Sequence, residues 1–193
     1  MDLTPEFQDL HVRLDGETTG DHICRIVRAL DGVSFDHDRS RLEALFQACE
    51  DTAARAALVA SWTTNCASFA GAVLALAGLD AASPLLTPLQ VGQAMTRLRT
   101  AFRAGRMPAT TWRAICPGAV MVYWSGDGNN AHAEIALSSP DAMGNADHGG
   151  AGRARNAVTC GHGSILTSSG RPLQEWYDPA QIVTNEASGD SPY

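Results

Sequence analysis

Along the first hundred residues the apolar positions recur at intervals of three and four, the period of a helix with one buried face. The run His22-Ile23-Cys24-Arg25-Ile26-Val27-Arg28-Ala29-Leu30 has this spacing and stops at Asp31-Gly32. It predicts a short helix with a glycine stop, after an irregular or partly helical lead-in over residues 1–20. Ser40 is placed to cap a second helix, with Leu42, Leu45, Phe46 and Cys49 on its stripe, continuing through Ala53, Ala57 and Leu58 toward Trp62. A third starts where Thr63-Thr64-Asn65 gives way to Cys66, carries Phe69, Ala70, Val73 and Leu76 or Ala77 on the thiol's face, and ends at Gly78 and Ser83-Pro84. Pro88 opens a fourth, striped by Val91, Met95, Leu98 and Phe102, with Arg97, Arg99 and Arg103 expected on a solvated face.

Beyond Gly105 the pattern shifts from helical to extended. Pro108, Trp112 and Pro117-Gly118 punctuate a linker, and Ala119-Val120-Met121-Val122-Tyr123-Trp124 then reads as a buried strand. The cluster Ser125-Gly126-Asp127-Gly128-Asn129-Asn130 is a turn, and Ala131-His132-Ala133-Glu134-Ile135-Ala136-Leu137 alternates as the returning strand of a hairpin. A glycine-rich loop is expected over residues 143–156, holding Asp147, His148, Arg153 and Arg155, with short strands near 157–160 and 164–167. Residues 171–179 are expected to form a loop that lays its aromatics on the core, and residues 186–193 a frayed tail. Helices followed by strands indicate an α+β fold. The expected organisation is one domain over 1–193, with a helical N-terminal part (1–60) and a core (61–180) in which the Cys66 helix packs on a small antiparallel sheet.

Composition narrows the function classes. At 193 residues, 45% hydrophobic and 18% charged, the chain can bury one sizeable core. The longest apolar region, Ala56 to Leu79, is interrupted by Ser61, Thr63, Thr64, Asn65 and Ser68, so it reads as buried helices and no membrane span is expected. A net charge of −7 argues against nucleic acid as a partner and against unaided adhesion to anionic membranes or wall polymers. Cys24, Cys49, Cys66, Cys116 and Cys160 are odd in number and show no framework spacing, which points to free thiols in a reducing compartment. The opening Met1-Asp2-Leu3-Thr4-Pro5-Glu6 lacks the basic stretch and apolar core of a secretory signal, so synthesis in the cytoplasm without Sec-type export is expected.

Two groups of metal-binding residue types carry little weight. Asp36-His37-Asp38 are adjacent and cannot easily face one ion, so a solvated turn is expected. Cys160-Gly161-His162, with Asp147 and His148 nearby, lacks the paired spacing of zinc sites, and Cys160 is expected in the core; no metal or cofactor is predicted. Cys66 is a stronger candidate for chemistry. A thiol at a helix start sits in the partial positive charge of the backbone amides, which favours thiolate.

A cysteine at a helix start followed in order by a hairpin that delivers a histidine suits a thiol nucleophile with an imidazole base. Here the chain resembles the NlpC-type cell-wall cysteine peptidases and the related CHAP amidases, which are papain-like. The resemblance rests on Asn65-Cys66-Ala67-Ser68-Phe69, on Pro117-Gly118-Ala119-Val120-Met121-Val122-Tyr123-Trp124 and on His132-Ala133-Glu134-Ile135-Ala136-Leu137, and covers roughly Ser61 to Asp178. Ala119 departs from the pattern, which usually has an acidic residue after the proline-glycine pair.

The resemblance implies Cys66 as nucleophile, His132 as general base and a third group from the following strand or loop, where His148 stands and Asn156 and His162 are rivals. Asn65, Ser68 and Glu134 are expected at the substrate cleft. On a regular strand Glu134 shares a face with His132, where it either orients the imidazole or lines the cleft, and the lining role is expected. The implied substrate is a peptidoglycan peptide, cleaved by an endopeptidase or amidase that a secretion system or phage delivers to the wall or periplasm. An inhibitor or immunity protein is then an expected partner. The alternatives are a non-catalytic interaction module on the same fold, or an acyltransferase or deamidase acting on a protein.

Overall fold

In the computed structural model the residues described are 10–34, 66–79, 99, 103–124, 131–152 and 157–181. Two helices, α1 (Thr19–Ala29) and α2 (Cys66–Leu76), lie against an antiparallel sheet formed by β1 (Arg106–Pro108), β2 (Val120–Tyr123), β3 (His132–Ala136), β4 (Asn145–Gly152), β5 (Ala157–Ser164), β6 (Thr167–Ser168) and β7 (Arg171–Tyr177). The strand order is β1-β7-β2-β3-β4-β5, with β6 paired to β7 beside that path. The architecture is therefore α+β, and its sheet of seven strands is larger than the small one expected.

Helix α1 begins earlier than its apolar stripe. Thr18 and Asp21 form a reciprocal capping box, the Asp21 amide donating to Thr18 Oγ1 at 3.1 Å and the Thr18 amide to Asp21 Oδ2 at 3.3 Å. Its stripe of Ile23, Cys24, Ile26, Val27 and Leu30 is buried. Helix α2 is apolar on all sides and built largely from small residues, which marks a helix enclosed by the core. Cys66, Phe69, Ala70, Val73, Leu74 and Leu76 pack with α1 and with Val120, Val122, Ala133, Ile135 and Tyr177 of one sheet face. The other face buries Met121, Tyr123, Ala136, Ala146, Leu173 and Trp176, covered by Ile115 and Ile165. Alternate residues of each strand thus feed two cores.

Three segments expected as irregular are strands. Residues 145–152 form β4, paired along its length with β5, because the glycines there meet close neighbours rather than making a flexible loop. A Cβ on Gly149 would stand 2.7 Å from Val27 Cγ1 and 3.0 Å from Cys160 Sγ, so only glycine lets α1 sit this close to the sheet. Cys160 itself is half-buried on β5, against that core. Residues 161–163, expected between two short strands, instead continue β5 unbroken to Ser164, paired with Ala146, Asp147 and His148 of β4. Residues 171–177 form a strand between β1 and β2, and the expected linker near Pro108 contains β1 and a 3-10 helix, Ala109–Ala114.

What pulls these last segments into the sheet is a buried acid. Glu175, 2% exposed, accepts from Arg99 Nε at 2.8 Å, from Arg106 Nε at 2.8 Å and from the Tyr177 hydroxyl at 2.6 Å. Burial opposes its ionisation, but these donors outweigh it and hold the carboxyl below the usual range. Arg99, expected on a solvated face, is drawn inward to Glu175 and stacks over the Trp124 ring at 5.2 Å. The Asp36-His37-Asp38 turn, the helices expected from Ser40 and Pro88 apart from Arg99 and Arg103, the turn at 125–130 and the tail lie outside the described residues. No helix among the described residues is long and apolar enough to cross a membrane.

Removing the Glu175 carboxylate leaves two arginines that can turn partly toward water, so Glu175→Ala should cost about 2–3 kcal/mol rather than the full penalty of a stranded charge. Urea denaturation checks this, and an unchanged midpoint would contradict the account of β7.

Candidate active site

Strand β3 organises the site. Its pleat sends His132, Glu134 and Ala136 to one face and Ala133 and Ile135 to the other. Strand β4 pairs with β3 only at Ile135 and Ala136, so the first half of β3 is open on that side. The Ala133 amide, left without a strand partner there, donates to Cys66 Sγ at 3.3 Å. That contact ties the sulfur to the unpaired edge of β3. Cys66, the first described residue of α2, is 9% exposed, so the thiol sits at the rim where the helix meets the opened strand.

The His132 ring lies within hydrogen-bond reach of the Cys66 side chain and places its Nε2 3.0 Å from Glu134 Oε1. With Nε2 engaged by the carboxylate, Nδ1 is the nitrogen left for the sulfur. Burial by itself would lower this imidazole, but hydrogen bonds to Cys66 and Glu134 outweigh it and the ring is pushed up to about 9. Both contacts favour the imidazolium. Tyr123, its cross-strand neighbour on β2, leans over it with ring centroids 6.3 Å apart.

Glu134 joins several groups. Oε1 takes His132 Nε2 and also the Ser168 hydroxyl, at 2.8 Å. Oε2 stands 3.0 Å from His148 Nδ1, a close ionic contact whose N–H is off the line of a good hydrogen bond. Burial disfavours the charged carboxylate, yet His132 and His148 together hold it well below the usual range. His148 in turn is raised, first by Glu134 and against the effect of burial. Gly150 makes room for this arrangement: a Cβ there would meet Glu134 Cγ at 3.2 Å and the Ala133 carbonyl oxygen at 3.3 Å.

The expected residues thus fall into two sets. Cys66, His132, Glu134 and His148 come together. The role expected of His148, holding the His132 ring, falls to Glu134, because on one strand side chains two residues apart share a face and touch. His148, on β4, reaches only the far oxygen of the carboxylate. Glu134 is correspondingly not a free cleft-lining acid. His162 is on the other face, exposed and paired with Asp147 at 2.9 Å, which removes it as a rival and parts it from His148. Among the described residues no cluster of three or more histidine, cysteine or acidic side chains is set to hold a metal ion. Asn65 and Asn156 lie outside the described residues; Ser68 is in the first turn of α2, its side chain outside what the structure describes. Ser168 was not legible as a site residue, since it lies between two strands whose pairing a single sequence does not fix.

The other described thiols differ from Cys66 in their surroundings. Cys24, Cys116 and Cys160 are each pushed up to about 11, chiefly by burial, and none has a histidine partner. No protein-family model matches the chain, and neither a curated protein nor a solved structure matches it.

The shifts carry a pH signature with a definite sign. The His132 ring gains affinity for its proton on folding, so its contribution to stability is complete below 6.5 and lost as pH rises through 9. Glu134 acts oppositely: its contribution is complete above 4.5 and is lost as pH falls below that value. The urea midpoint should therefore decline as pH falls below 4.5, by on the order of 2 kcal/mol in stability, and Glu134→Gln should remove part of that decline. An equal decline in that variant would assign the effect to another group.

Proposed function

We propose that this chain is a thiol-dependent hydrolase of papain-like architecture, in which Cys66 attacks an amide carbonyl and His132 carries the proton. The observation that supports it is the continuous chain of contacts from the Cys66 sulfur through the His132 ring to the Glu134 carboxylate. A protonated imidazole beside a sulfur, itself fixed by an acid, is the arrangement in which a thiol becomes a nucleophile.

In this reading the thiol proton resides on His132 before substrate arrives. The Cys66 sulfur adds to the carbonyl carbon, and the imidazolium gives its proton to the departing amine as the C–N bond breaks. A water molecule then loses a proton to His132 as it attacks the thioester, releasing the acid and leaving the Cys66 sulfur free again with the proton on His132. Glu134 keeps Nε2 engaged throughout, so that Nδ1 faces the sulfur in both charge states.

The substrate class comes from the resemblance to the NlpC-type peptidases: an amide in the peptides of peptidoglycan, cleaved as endopeptidase or amidase. A chain of net charge −7 suits delivery to the wall by a secretion system or phage, and a producing cell would then need an inhibitor that fills the Cys66 cleft.

Purified muropeptides incubated with the reduced protein should yield new amine and carboxyl termini, with Cys66→Ala at least about 1,000-fold slower. Mass spectrometry of the products reads the cleaved bond and separates hydrolysis from acyl transfer. Equal rates for the two proteins, or no cleavage by either, would refute the reading.

A further inference from the structure

Strand β6 contains only two residues, and its position is fixed from three sides. The Ile165 amide donates to the Gly144 carbonyl at 2.9 Å, the Leu173 amide to the Leu166 carbonyl at 2.8 Å, and Ile165 is fully buried. Thr167 pairs with Pro172 and Ser168 with Arg171 across a two-residue turn. Both central residues of that turn have positive φ, 51° at Ser169 and 77° at Gly170, the hand that matches the twist of a tight hairpin. Ser169 is the one residue other than glycine with positive φ among the described residues, a conformation that costs a serine free energy. The hairpin thus holds Ser168 in one place, and there its hydroxyl donates to Glu134 Oε1 at 2.8 Å.

We propose that Ser168 is a positioning residue for the Cys66–His132 pair, acting through Glu134; this rests on the hydrolase reading above. Oε1 receives two donors, the His132 ring and the Ser168 hydroxyl, while Oε2 faces His148. Three groups from β3, β4 and β6 therefore set the plane of one carboxylate. Without Ser168 the carboxylate keeps its two imidazoles, both of which swing about their own χ angles, and loses its one donor from a separately anchored hairpin. The hydroxyl also draws electron density from Oε1, which weakens that oxygen's hold on the His132 proton. Tyr123 also faces Glu134 from β2.

The consequence is specific in sign. Ser168→Ala should strengthen the bond between Glu134 and the imidazolium while loosening its geometry. The upper inflection of Cys66 reactivity against pH, where His132 releases its proton, should rise by about half a pH unit, the size expected of one net hydrogen bond. Turnover of muropeptides should fall about 3- to 10-fold with little change in KM, since no substrate contact is removed. Ser168→Thr keeps the hydroxyl and should restore both.

The test is the pH dependence of alkylation by iodoacetamide, read on the Cys66 peptide by mass spectrometry, in wild type, His132→Ala, Ser168→Ala and Ser168→Thr. Circular dichroism confirms folding of each. A wild-type inflection that moves up in Ser168→Ala and returns in Ser168→Thr supports the proposal. An inflection that disappears in His132→Ala but is unmoved in Ser168→Ala overturns the role of Ser168 and leaves the hydrolase reading intact. If wild type and His132→Ala have the same profile, the Cys66–His132 pair itself fails, and the role of Ser168 with it.

Discussion

The carboxylate of Glu134 is the constraint on which this site depends. A buried carboxylate is costly unless opposite charges and hydrogen-bond donors meet it, and here they are the His132 ring and the Ser168 hydroxyl on Oε1 and the ionic contact of His148 with Oε2. Facing the acid raises the proton affinity of each imidazole, so a charged His132 ring is favoured beside Cys66. The local structure follows from that need. Gly150 leaves space for the Glu134 stem, and β4 stops pairing with β3 at Ile135, leaving the Ala133 amide to Cys66. Loss of β3–β4 pairing and gain of a sulfur contact are one event in the strand.

Glu175 solves a similar problem in a different way. It too is a buried acid on a strand, but its partners are arginines and a tyrosine, groups with no accessible proton transfer near neutral pH. That pairing fixes β7 between β1 and β2 and contributes architecture. Glu134, tied to histidines, sits where protons can move. The two acids show how partner chemistry, rather than burial, separates a structural ion pair from a reactive one.

Much of this was legible in the sequence, and the reasons it was or was not are particular. The helix at His22–Leu30 and the β2–β3 hairpin have strong periodicity over local stretches, and the thiol helix stands out as a run of small apolar residues, so the local pattern locates them. Strands β4 and β7 were hidden for opposite reasons. The Gly149-Gly150 pair has the composition of a loop, and its strand role comes from the approach of Val27 and Glu134, which are distant in sequence. In β7 the charged Glu175 breaks the apolar pattern, and only Arg99 and Arg106 make it compatible with a buried strand. At the site, Cys66 and His132 could be paired through their order and local context. The place of His148 behind Glu134 could not, because it depends on register between β3 and β4. Ser168 depends on a further register, that of β6 with β7.

The central claim is that Glu134 holds a charged His132 ring against the Cys66 sulfur. Nuclear magnetic resonance of the protein labelled with 15N at its histidine rings tests this most directly, by following the ring nitrogens of His132 through a pH titration in wild type and in Glu134→Gln. The account predicts a His132 ring protonated on both nitrogens at neutral pH, titrating near 9 in wild type and well below that in Glu134→Gln. A ring that titrates near 6.5 in wild type, or is unaffected by loss of the carboxylate, would contradict it.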